Sequence, residues 1–155
     1  MEFDDEKGAF ANLVHIITVV PEKKLCGKVD DFAVLVFDKP LFKYSGYFGA
    51  KTFDCKRDRD KPIYKHAGYP VVDNKIKRIR QDNISVKICK FCDQATQLAT
   101  DTDVEKGQSG GPLYRVEDGV AWQYGILSGW GKLGSIYTSG PNFVNAIALA
   151  RERYS

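Results

Sequence analysis

Apolar residues in this chain gather in short runs rather than in helical stripes. Leu13 to Val20, Phe32 to Phe37, Ile84 to Ile88, Leu113 to Val116 and Trp122 to Leu127 are rich in β-branched or aromatic side chains and are bounded by Gly, Pro, Asp or Asn. Runs of that length and spacing predict an all-β sandwich or barrel. Only the C-terminal segment has a helical period. There Phe143, Val144, Ile147 and Leu149 follow Asn142, a candidate N-cap, and Arg151 and Arg153 stand where the last turn of a helix favours cations. The stretch Tyr44 to Pro62, with Gly46, Gly49 and the charge run Lys56 to Lys61, fits neither pattern and reads as an exposed connection between two β units. The chain therefore divides into an N-terminal β unit over 1–45, a connecting loop over 46–62, and a C-terminal β unit with the terminal helix over 63–155.

Composition narrows the partners. With 155 residues, 43% hydrophobic and 28% charged, the chain is neither disordered nor fibrous. No stretch approaches the roughly 18 apolar residues that span a bilayer, and Met1 to Glu6 lacks the basic start and apolar middle of a signal peptide, so no membrane partner is expected. The net charge is only +3, and its one basic cluster, Lys75 to Arg80, alternates with Ile76 and Ile79 as a half-exposed strand or loop would. A nucleic-acid footprint needs a broader basic face, so nucleic acid is not expected either. The four cysteines, Cys26, Cys55, Cys89 and Cys92, suit one or two disulfides in a secreted chain, although spacing does not fix the pairing. Cys89 and Cys92 have the gap of a zinc half-site, but no second closely spaced Cys or His pair exists to complete four ligands.

The sharpest chemical signal is Gly107-Gln-Ser-Gly-Gly-Pro112. Five such specified residues would arise by chance in a chain this long with a probability on the order of 10⁻⁴. Glycines let the backbone bend tightly around Ser109, so that its hydroxyl projects outward and backbone N–H groups converge on a point that can hold an oxyanion. The competing reading is a serine in an ordinary Gly-rich loop of an unrelated β protein.

At this motif the sequence resembles the chymotrypsin-like serine peptidases, and the likeness extends over residues 10 to 153. It implies Ser109 as nucleophile and the N–H groups of Gly107 and Ser109 as oxyanion donors. Asp31-Phe-Ala-Val-Leu35 resembles the family's aspartate segment, which would make Asp31, with Asp30 as its less favoured neighbour, the acid that orients a histidine. His66-Ala-Gly-Tyr-Pro70 resembles the Gly-Tyr-Pro turn of the glutamyl endopeptidase branch, which also accepts glutamine at the position of Gln108. Tyr124 to Gly131 resembles the strand that pairs with substrate, so Ser128, Gly129, Trp130 and Gly131 are candidate substrate contacts. Asp103, six residues before Ser109, stands where trypsin-like members floor the specificity pocket, implying a basic residue before the scissile bond; Leu127 replaces a histidine found in several glutamate-selective relatives. The resemblance implies a chymotrypsin-like double β-barrel, a secreted location, a protein or peptide substrate, and no cofactor or metal. Gln108 stands where trypsin-type zymogens keep an aspartate for a freshly cut N-terminus, so that route of activation is not expected.

The base is the difficulty. A serine hydroxyl needs an adjacent base, which in this fold is a histidine preceding the aspartate in chain order. Of the two histidines, His66 follows Asp31 and reads as a loop residue, whereas His15 precedes it by only 16 residues inside an apolar strand. His15 is the candidate base on order alone; the alternative is that the first strands of the N-terminal barrel, with the histidine, are missing and are supplied by another segment or a second chain. An opened barrel would expose strand edges and favour association. Two functions follow: a serine endopeptidase, or a catalytically inactive homologue that holds extended peptides along residues 127–131 by β-augmentation.

Overall fold

The computed structural model describes residues 10–20, 29–40 and 46–154. It is mostly antiparallel β-sheet with a single C-terminal helix. Strands β1 (Leu13–Ile17) and β2 (Val34–Phe37) form a two-stranded sheet. The main sheet contains β4 (Tyr64–Gly68), β7 (Ile79–Ile84), β8 (Val86–Cys92), β9 (Ala95–Thr100), β10 (Pro112–Glu117), β11 (Val120–Gly131) and β12 (Gly134–Ser139), in the order β7-β4-β10-β11-β12-β9-β8. The short β3 (Gly49–Ala50) adds to β11 in parallel, and β5 (Val71–Val72) pairs with β6 (Lys75–Ile76) as a small hairpin. Helix α1 spans Pro141–Tyr154.

The two ends of this path, β7 and β8, are consecutive in sequence and separated only by Ser85. A sheet whose edges are joined by one residue has to roll up, and the core fills the roll: Tyr64, Ile84, Val86, Leu98, Leu113, Tyr124, Leu127 and Tyr137 come from seven strands and are buried together with Phe53. No ladder joins β7 to β8, so the described residues contain no closed barrel. Ser85 breaks the expected run Ile84 to Ile88 because its N–H donates to the Asp101 carboxylate at 2.7 Å instead of to a strand. The expected strands 13–20 and 32–37 are likewise trimmed to β1 and β2.

The connecting segment 46–62 is less exposed than its charge run suggests. Phe53 enters the core, Asp58 is buried between Arg57, Lys61 and Arg115, and Cys55 is disulfide-bonded to Cys89 of β8. Cys89 is thereby no thiolate ligand, and none of the described cysteines is free. Such a bond belongs to a chain that folds in an oxidising compartment. No described helix is long and apolar enough to cross a membrane.

Helix α1 starts one residue earlier than its expected cap. Pro141 takes the first helical position, which its fixed φ favours, and the Val144 N–H reaches back to the Gly140 carbonyl at 3.3 Å. Asn142 therefore lies inside the first turn, and its side-chain amide donates to Asp30 at 2.9 Å. With Thr138 Oγ1 donating to the Val29 carbonyl and Phe32 packed edge-on against Phe143, this ties residues 29–32 to the body that carries Ser109.

Candidate active site

Ser109 sits between two strands of the main sheet. On one side the loop 107–111 is bonded to β11, with the Gly110 N–H donating to the Leu127 carbonyl at 2.8 Å and the Leu127 N–H to the Gly111 carbonyl at 2.9 Å. On the other it is wound around His66 of β4. That side chain is fully buried, with Nδ1 3.2 Å from the Pro112 carbonyl and Nε2 3.0 Å from the Gln108 side-chain amide. His66 thus grips the residue before Ser109 and the residue that closes the loop.

Backbone conformation completes the turn. Gly107 and Gly110 have φ of +101° and +83°, a region that glycine enters without steric cost. A Cβ on Gly111 would lie 2.4 Å from the Ala67 carbonyl and 2.5 Å from His66 Cε1, so only glycine fits there. The loop uses the N–H groups of Gln108, Gly110 and Gly111 internally, bonding them to Glu105, Leu127 and Gln108. Those of Gly107 and Ser109 have no partner among the described residues, and the Ser109 side chain is exposed and unbonded.

Burial favours the neutral form of the ring. Desolvation pushes the His66 pKa below its ordinary value, against the opposing pull of its bonds to Gln108 and Pro112. A neutral imidazole has one N–H; once Nδ1 donates to Pro112, Nε2 needs a donor. The Gln108 amide is that donor when its NH₂ end, in place of Oε1, faces the ring. Sequence reading missed His66 as a strand residue, although Tyr64, His66 and Gly68 alternate with Lys65 and Ala67 in the period of a half-buried strand.

Asp31 is brought to the same region. The register of β11 with β12 slips between Leu127 and Gly129, and the irregularity turns the Ser128 hydroxyl onto the Asp31 carboxylate at 2.6 Å. The adjacent Leu127 is bonded to the Ser109 loop, so Asp31 is linked through Ser128 to the strand that holds that loop. Asp30 points instead to α1. Beyond Leu127, β11 is paired among the described residues on its β12 side only; a Cβ on Gly129 or Gly131 would meet nothing within 4 Å, and Trp130 is 68% exposed.

His15 stands elsewhere. Its ring stacks on Tyr154 at the end of α1, centroids 4.2 Å apart, and among the described residues no hydrogen bond joins it to Asp31 or Ser109. Alternation explains this, because His15 pairs with Val36 on the face of β1–β2 turned to the helix. Asp103 is exposed, with its N–H on the Gln81 side chain at 3.0 Å. No group of three or more Cys, His, Asp or Glu side chains suited to a metal ion occurs among the described residues. Compared with known proteins, the chain matches no family model and no curated protein.

Proposed function

We propose that the chain is a serine-type endopeptidase domain of the chymotrypsin-like kind, secreted, with Ser109 as nucleophile, Gly107 and Ser109 as oxyanion donors and Asp31 as the acid that orients the base. The observation that carries this reading is the selective use of loop amides: the two N–H groups left uncommitted flank an exposed, unbonded serine hydroxyl. Donors held in place before charge develops are the main requirement for stabilising a tetrahedral oxyanion. The unpaired edge of β11 at residues 128–131 offers an extended polypeptide a strand to lie against, delivering its carbonyl to Ser109. In this reading the rolled sheet is the C-terminal barrel of a double-barrel fold, and β1–β2 belongs to the N-terminal one.

One observation favours a second reading. Both described imidazoles are committed elsewhere, His66 inside the sheet and His15 on Tyr154. Without a base, hydrolysis at a serine site falls by about 10⁶, leaving about 10³ to 10⁴ over water from oxyanion stabilisation and binding. The chain by itself would then hold extended peptides rather than cleave them.

Fluorophosphonate labelling, with Ser109→Ala as control and mass spectrometry to locate the adduct, separates the two. Modification of Ser109 within minutes establishes an activated nucleophile and the peptidase; a folded sample that stays unmodified leaves the peptide-binding reading. If Ser109 labels, reporter substrates with Arg or Glu before the scissile bond test Asp103, for which preference for Arg is expected.

A further inference from the structure

The flank of the Ser109 loop away from β11 is formed by residues 69–80. Its hairpin β5–β6 turns through Asp73 and Asn74, both with positive φ (52° and 59°), the pattern of a tight two-residue turn, and the Lys77 N–H closes its base on the Pro70 carbonyl at 3.0 Å. The hairpin rests against the loop, since a Cβ on Gly107 would lie 3.1 Å from the Tyr69 carbonyl and 3.4 Å from the Val71 nitrogen. A cavity of about 310 Å³ lies between the loop and the chain leading into the hairpin, with Ala67, Gly68 and Tyr69 on one wall and Gly107 to Pro112 on the other.

Charge concentrates on this flank. Residues 69–80 hold four cations, Lys75, Lys77, Arg78 and Arg80, against one acid, Asp73, a net +3 that equals the charge of the whole chain. Lys77 is answered by Asp73 at 3.9 Å and Arg80 by Asp82 at 3.1 Å. Lys75 and Arg78 have no ion pair among the described residues. The same segment leaves Tyr69, Val71 and Ile76 between 51% and 74% exposed. Unanswered cations beside exposed apolar side chains match a partner that alternates carboxylates with apolar residues.

We propose that this hairpin is a docking ledge for an acidic stretch of polypeptide. It rests on the reading that Ser109 faces an extended chain: the part before Ser109 lies along β11, and the part after it, the leaving-group side in a hydrolysis, runs over the cavity to Lys75 and Arg78. The site thereby selects chains with acidic residues following the reacting carbonyl.

The test is fluorescence anisotropy with two labelled peptides of one composition, one with glutamates in its C-terminal half and one with them in its N-terminal half. The C-terminally acidic peptide is expected to bind, to weaken about tenfold between about 20 mM and about 200 mM salt, and to weaken about tenfold in K75E/R78E but not in K90E, a charge reversal outside the hairpin, on β8. Equal binding by K75E/R78E, or by the order-reversed peptide, overturns the proposal, as does a lack of binding. Fluorophosphonate labelling of the wild-type chain reports separately on the hydrolase: acid-dependent binding without labelling keeps the ledge and removes the enzyme, and labelling without acid-dependent binding does the reverse.

Discussion

His66 is the side chain around which the candidate site is wound, and its burial makes it sensitive to both truncation and protonation. Removing the ring leaves a void and orphans the Pro112 carbonyl and the Gln108 amide, so His66→Ala is expected to cost about 3 kcal/mol, read from the urea midpoint. The sign of its pH dependence follows from the lowered pKa. The unfolded chain takes up the proton first, so this contribution is complete above about pH 6.5 and is lost as pH falls through the depressed native value. The stability gap between wild type and His66→Gln, which cannot titrate, should therefore narrow from pH 7.5 to pH 5; a constant gap would mean that the ring is not buried neutral. Gly111→Ala probes the same fit, because its methyl would collide with Ala67 and His66, and loss of any Ser109 labelling with a cost of about 2 kcal/mol is expected. The motif around Ser109 was legible in the sequence because its glycines are needed for a backbone shape. Asp31 was legible as a candidate by its order. The roles of His66, Gln108 and Asn142 were not, since each depends on contacts between residues 42, 42 and 112 positions apart.

Among the elements recognised in advance, β10, β11 and α1 bury apolar side chains, whereas β1 and β2 were recognised from apolar runs that stay largely exposed. Strands β9 and β12 escaped notice because Thr96, Thr100, Ser135, Thr138 and Ser139 are buried in them. The hydroxyls of Thr100, Ser135, Thr138 and Ser139 are bonded to carbonyls or, for Thr100, also to the Thr102 hydroxyl, so a polar sequence forms strands with few exposed positions. The loop 51–63 has the converse property, a charged sequence held down by tertiary links. Its Asp58 carboxyl is kept below the usual range first by its bonds to Arg57, and Glu117 is pulled down to about 2, first by Arg115 and then by Tyr124. The disulfide closes a loop over a separation of 34 residues, for which chain entropy gives about 4 kcal/mol. Replacing Cys55 and Cys89 together by Ala should lower stability by an amount of that order in a denaturant titration while leaving the Ser109 loop, bonded to β4 and β11, intact by fluorophosphonate labelling or peptide binding.

At the scale of the molecule, the all-β character with a terminal helix was written in run lengths, but how the two β units complete each other was not. The main sheet rolls on itself and buries its core; β1 and β2 do not. Across their ladder Ile17 faces Val34 and His15 faces Val36 on the side toward α1, which leaves Ile16 opposite Leu35 and Leu13 opposite Phe37. Ile16 and Leu35 remain 59% and 49% exposed, with Val14 and Phe37 also exposed. A two-stranded sheet is marginal alone, and an apolar face with open edges invites another strand. The chain is therefore expected to associate as its concentration rises, in sedimentation velocity, and Ile16→Lys with Leu35→Lys should restore the monomer without loss of the fold. The substitutions place two cations directly opposite one another on the exposed face, where repulsion disfavours both stacking and edge addition. A wild-type chain that stays monomeric would mean that this face is covered within the chain itself.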